Sequence, residues 1–176
     1  MSWKETYNAW KNYQALEPDL KDELAKLEGN DEALEDAFYA PMEFGTAGMP
    51  GVIRTGINRM NVYTVRQATE GLASLMDTLD EETKRRGVAI SYDSRHKSQE
   101  FAFESARVLG AHGIPSFVFE SLRPTPELSF TVRHLHAYAG IMITASHNPK
   151  QYNGYKIYGE DGAQMPPKES DLITKY

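Results

Sequence analysis

The residues best equipped for chemistry lie in one short stretch, Thr144-Ala145-Ser146-His147-Asn148-Pro149. The apolar run Ala139-Gly140-Ile141-Met142-Ile143 precedes it and reads as a buried strand, which throws the serine off a strand end. His147, Asn148 and Lys156 stand near Ser146 in sequence, so its hydroxyl is a candidate nucleophile. The same residues could make an ordinary turn in which Ser146 and Asn148 cap backbone amides. On chemistry alone the turn is the better reading. A Ser-His-Asp hydrolase is the rival enzyme, but Ser146 lacks a Gly-x-Ser-x-Gly elbow, and His147, as its immediate neighbour, is badly placed for base catalysis.

Three further polar segments are candidates for a shared site. Glu43-Phe44-Gly45-Thr46-Ala47-Gly48-Met49-Pro50-Gly51 has the glycines that let backbone amides approach an anion, or it is a mobile connection before Val52-Ile53. Asp93-Ser94-Arg95-His96-Lys97-Ser98 offers an ion pair and, at Ser98, a helix cap. Ser121-Leu122-Arg123-Pro124-Thr125-Pro126 is stiffened by its prolines. His134 and His136 read as helix-surface residues rather than metal ligands, because no third ligand shares their face.

The elements that must position these loops follow from periodicity. Trp3, Tyr7, Trp10 and Tyr13 form a helical stripe, Pro18 opens a second helix ending near Leu27, and Asp31 to Tyr39 makes a third. Asn61 caps a long helix to about Leu79, with Val62, Val65, Thr69, Leu72 and Met76 on one side. Lys84-Arg85-Arg86-Gly87 reads as a solvated basic turn before a strand, Val88 to Tyr92. A helix from Ser98 stops at Gly113, Pro115 to Glu120 is a strand, and Pro126 opens the next helix. After the Ser146 loop, Lys150 to Gly154 is a polar turn and Tyr155 to Tyr158 a strand. Strand, loop and helix thus recur, which predicts a sheet whose loops gather at the strands' carboxyl ends.

At 176 residues one domain is expected, with 40% hydrophobic and 25% charged residues suiting a globular chain. A net charge of −6 argues against nucleic acid, and no apolar run is long enough to suggest a membrane partner. The N-terminus has no signal-like apolar core, and zero cysteines fit a cytoplasmic protein.

The stretch from Thr144 to Pro149 resembles the phosphoserine loop of the α-D-phosphohexomutases, which include phosphoglucomutases and phosphomannomutases. The longer run from Ala139 to Gln164 is similar to the phosphoglucomutase and phosphopentomutase branch. The glycine-rich, Asp93-x-Arg95 and Thr125-Pro126 segments resemble further family loops, in the expected order. One position departs: Pro50 stands where the family usually carries arginine.

The resemblance implies an α/β fold, a three-layer α/β/α sandwich with a mixed, mostly parallel sheet. Residues 1–40 would be an N-terminal helical extension and 41–176 the phosphoserine-bearing domain, first of four in the family. It implies Ser146, His147 and Lys156 as catalytic residues, and Thr46, Arg95 and Asn148 as substrate-binding ones, with a structural role open for two of them: Arg95 with Asp93 holding the active-site wall, and Asn148 shaping the turn before Pro149. The reaction would interconvert glucose 1-phosphate and glucose 6-phosphate through a phosphoserine and glucose 1,6-bisphosphate. Alternatives are a phosphomannomutase, a phosphopentomutase, or a sugar-phosphate-binding module without catalysis. Mg²⁺ is the implied cofactor, touching this segment only through the phosphoryl group on Ser146, since no Asp-Gly-Asp-x-Asp run occurs and Asp161-Gly162 is followed by Ala163. The expected partners are a hexose phosphate and the remaining mutase domains. The last residues read as an unfinished helix after Pro166-Pro167, so the chain is expected to be a first domain lacking turnover alone.

Overall fold

The computed structural model describes residues 2–45, 48–166 and 173. The N-terminal helices α1 (Trp3–Asn12), α2 (Pro18–Leu27) and α3 (Asp31–Phe38) each begin at a local signal. Ser2 and Glu5 make a reciprocal capping box, Pro18 sits where its missing N–H costs little, and the Asn30 side chain accepts the Ala33 amide. Leu20, Leu24, Leu34 and Phe38 turn inward. Tyr7 and Trp10 meet the Phe38 ring edge-on at 5.9 and 5.5 Å, and Trp10 meets Tyr63 at 5.3 Å. Through Tyr63 the aromatic stripe docks on α4 (Val62–Asp77). Tyr13 does not continue the helix: it caps α1 and is 51% exposed.

Helix α4 starts where Asn61 accepts the Tyr63 and Thr64 amides and Thr64 returns a bond to the Asn61 amide. Val62, Val65, Thr69, Leu72 and Met76 are all buried, as their spacing predicts. The sheet comprises β1 (Met49–Val52), β2 (Val88–Tyr92), β3 (Ser116–Val118), β4 (Ala139–Ile143) and β5 (Tyr152–Tyr158), in the order β1-β5-β4-β2-β3. Strands β3, β2 and β4 are parallel, while β5 runs antiparallel to β4 and β1. Helices α4 and α6 (Ser98–Ala111) cover one face and α7 (Thr125–His134) the other, giving the expected mixed sheet between helical layers. Covered on both sides, β2 and β4 are buried at every residue. Ile141 and Ile143 enter the large core, whereas Met142 joins Leu128, Val132 and Tyr158 beneath α7.

Several local expectations change. Met49–Val52 is an edge strand and not a mobile connection; Pro50 is tolerated there because one side of an edge needs no donor. Strand β5 begins at Tyr152, so Tyr152, Asn153 and Gly154 belong to the sheet rather than to the turn. The basic segment is tied down: Lys84 pairs with Asp77, and Arg86 donates to the His136 and Ala137 carbonyls and to Glu160. Lys84 and Arg85 form the last turn of a short helix, α5 (Glu81–Arg85), and Arg86 caps it. Strand β3 is shorter than Pro115 to Glu120. The helix expected after Pro166-Pro167 lies outside the described residues except for Ile173, which is buried against Gly71 of α4. Among the described residues, no helix is long and apolar enough to cross a membrane.

Candidate active site

Strands β2 and β4 lie side by side with Tyr92 opposite Ile143, so the loops that follow them leave the sheet together. The Asp93 amide donates to the Ile143 carbonyl (3.1 Å), and the Arg123 amide to the Tyr92 carbonyl (3.1 Å). Three strand-end loops therefore share one rim.

Asp93 is the hub of that rim. Its Oδ1 accepts the Arg95 amide (2.9 Å) and the Ser98 hydroxyl (2.7 Å), and its Oδ2 accepts the Thr144 hydroxyl (2.6 Å). Thr144 Oγ1 in turn accepts the Ser146 amide at 3.1 Å. On β5, buried Asn153 donates to Ser98 Oγ (2.9 Å) and the His96 carbonyl (3.0 Å), and accepts the Gly154 amide (2.8 Å). Ser98 is thus not the helix cap. It is the first residue of α6, after Lys97 in left-handed conformation (φ 65°), and its hydroxyl is spent on Asp93.

Arg95 closes the other side of the serine loop. Its Nη1 donates to the Pro149 and Tyr152 carbonyls (2.9 and 3.1 Å), and its Nη2 to the Ser146 and Asn148 carbonyls (2.9 and 2.7 Å). Its Nε lies 3.5 Å from Asp93 Oδ2.

Ser146 sits between these two supports with φ 52°, a conformation that non-glycine residues adopt at a cost of about 1–2 kcal/mol. Each hydrogen bond to a charged group contributes about 1.5–3 kcal/mol, enough to hold that backbone. The Ser146 side chain is exposed, and among the described residues its hydroxyl has no hydrogen-bond partner. Its amide and carbonyl are fixed while its oxygen faces solvent, as a reacting group requires.

The other expected site residues arrive by different routes. His147 is exposed and Asn148 half-buried on the same turn. Lys156 is opposite Met142 on the α7 side of the sheet, so its ammonium reaches the rim only if the side chain runs along the strand. It is half-buried and forms no ion pair among the described residues. The glycine-rich segment lies against it: a Cβ on Gly48 (φ 87°) would stand 2.7 Å from Lys156 Cγ. Gly45 and Gly48 exchange both backbone hydrogen bonds (2.8 and 2.9 Å), and Phe44 anchors the segment edge-on to Tyr155 at 6.0 Å. Thr46 lies outside the described residues. Tyr155 points to the opposite face, with Oη 2.9 Å from Thr69 Oγ1; burial pushes its phenol well above the ordinary range.

A magnesium ion finds little here. Among the described residues no group of three His, Cys, Asp or Glu could hold a metal, and Asp93 spends both carboxylate oxygens inside the rim. The described residues do not by themselves form a metal site.

Residues 41–176 match the model of phosphoglucomutase/phosphomannomutase, alpha/beta/alpha domain I. The chain belongs to the phosphoglucomutase/phosphomannomutase family. Human phosphopentomutase is 46% identical over 144 residues, covering 78% of this chain and 24% of that protein. A Staphylococcus aureus phosphoglucomutase is 46% identical over 141 residues, covering 80% of this chain and 25% of its own length. The chain therefore spans about a quarter of these relatives. Among solved structures, a Thermus thermophilus protein assigned as a phosphomannomutase superimposes with a TM-score of 0.68 at 33% identity, over 77% of this chain and 30% of that one. Paramecium parafusin, a phosphoglucomutase, gives 0.60 at 25% identity, over 78% and 25%.

In this mutase-family domain, sequence reasoning passed over Thr144 and Asn153. Thr144 reads as part of the loop, and Asn153 as a residue of the turn that leads to Lys156. The available signal was the apolar company Asn153 keeps, between Tyr152 and Tyr155-Lys156-Ile157: a polar residue in a strand-like run needs buried partners.

Proposed function

We propose that this chain provides the phosphoserine of a phosphoglucomutase-type enzyme that interconverts glucose 1-phosphate and glucose 6-phosphate. The observation that carries this reading is Ser146: backbone strained and clamped, hydroxyl exposed on the strand-end rim. The phosphorylated serine gives its phosphoryl group to a free hydroxyl of a hexose monophosphate. The P–O bond to Ser146 breaks, a P–O bond to the sugar forms, and the sugar's proton passes to the serine oxygen by way of Lys156 or His147. The resulting glucose 1,6-bisphosphate turns over, and its other phosphate returns to Ser146. Asn148 and Thr46 are the proposed contacts to substrate. Positioning and electrostatics supply the catalysis.

Because the chain spans about a quarter of its relatives, the magnesium ligands and sugar-recognition loops are assigned to further domains, and this segment alone lacks turnover. A cytoplasmic location accompanies this reading. Pentose phosphate is the second reading, supported by phosphopentomutase and phosphoglucomutase relatives at equal identity, 46% each. Mass spectrometry of natively expressed protein should find phosphate on Ser146, restored after dephosphorylation by glucose 1,6-bisphosphate. An unmodified Ser146 that the bisphosphate cannot load would favour a sugar-phosphate-binding module instead.

A further inference from the structure

We infer that Arg95 is a positioning residue for Ser146 and does not bind the substrate's phosphate; this rests on the mutase reading above. A guanidinium has five N–H donors in a fixed fork. Here the four Nη donors are hydrogen-bonded to the carbonyls of Ser146, Asn148, Pro149 and Tyr152, and Nε faces the Asp93 carboxylate at 3.5 Å as an ion pair. The side chain is 17% exposed. An anion could recruit this cation only by taking donors from the loop that carries the serine. The four carbonyls span the loop from its left-handed serine to the start of β5, so one planar group sets the curvature of the segment. Asp93 holds that plane from behind while it holds Ser146 through Thr144. Arg95 thereby acts on the nucleophile's position.

Hydrogen exchange and kinetics together test this. In R95A the amides of Ser146, Asn148 and Tyr152, each bonded within the loop, should exchange on the order of tenfold faster, with β2 amides unchanged. R95K should behave the same way, because an ammonium cannot bridge paired carbonyls as a fork does. Added guanidinium ion should restore protection to R95A and not to R95K. In the mutase containing this segment, kcat should fall on the order of 10²-fold while the KM for hexose phosphate stays put. Unchanged loop exchange in both variants, or a raised KM with kcat intact, would overturn the assignment. Faster loop exchange in a protein whose wild-type Ser146 never carries phosphate would leave the clamp standing and defeat the mutase reading instead.

Discussion

Replacing Ser146 with alanine removes one exposed oxygen that nothing among the described residues binds. The left-handed backbone costs alanine about what it costs serine, and the Thr144 and Arg95 supports act on main-chain atoms that remain. Stability should therefore change by no more than about 0.5 kcal/mol, while phosphoryl transfer by the intact mutase is almost entirely lost. Matched denaturation curves and turnover assays check both halves; a Ser146→Ala enzyme with normal turnover would remove the serine from the reaction. Arg95 is a different kind of case. The resemblance leaves it between substrate contact and a structural role, and its Nη donors all go to carbonyls of the serine loop.

At the level of elements, the rim depends on polar groups that bridge strand ends. Asn153 is fully buried and ties β5 to the Asp93 loop and the first residue of α6. Asn153→Ala strands the Ser98 hydroxyl's acceptor side, the His96 carbonyl and the Gly154 amide, so a loss of about 2 kcal/mol is expected in urea unfolding. A second bridge lies away from the rim. His112, at the C-cap of α6, bonds Asp77 and Glu70 on α4, and Lys84 of α5 reaches the same Asp77. The Asp77 bond, reinforced by Glu70 and opposed by partial burial, raises the His112 imidazole above its ordinary 6.5. A raised folded value means that the stabilisation is complete below 6.5 and is lost as pH climbs through the folded value. Stability measured across that window should decline with rising pH, and His112→Gln should flatten the decline. An unaltered pH slope in the variant would exclude His112 as its source.

Across the whole molecule, one large core joins the N-terminal helices to the sheet domain. Phe38 is its keystone on the N-terminal side, fully buried with Tyr7 and Trp10 edge-on. Phe38→Ala should cost about 3–5 kcal/mol and lower a single unfolding transition, because α1 to α3 and α4 share the packing. Two separated transitions would show that the helical extension folds independently. The extension was legible as helices from its aromatic stripe and caps, but its docking was not: Trp10 finds Tyr63 only once α4 is in place. The long helix α4 and strands β2 and β4 were legible almost to the residue, since each carries its own cap or apolar run. Strand β1 was not, because Met49-Pro50-Gly51-Val52 has no strand-like pattern and acquires its conformation from pairing with β5.

The order of short-range signals, caps, apolar runs and the Thr144 to Pro149 spelling, was enough to place Ser146 on a strand end and to name its family, because those features act within a few residues of chain. Which groups support that serine was decided only by folding. Asp93, Arg95, Ser98, Thr144 and Asn153 come from three strand ends and a helix start, and the hydrogen bonds that link those elements join partners more than fifty residues apart in the chain. Hydrogen bonds are directional and short-ranged, so no pattern along the chain reveals them before the sheet brings β2, β4 and β5 together.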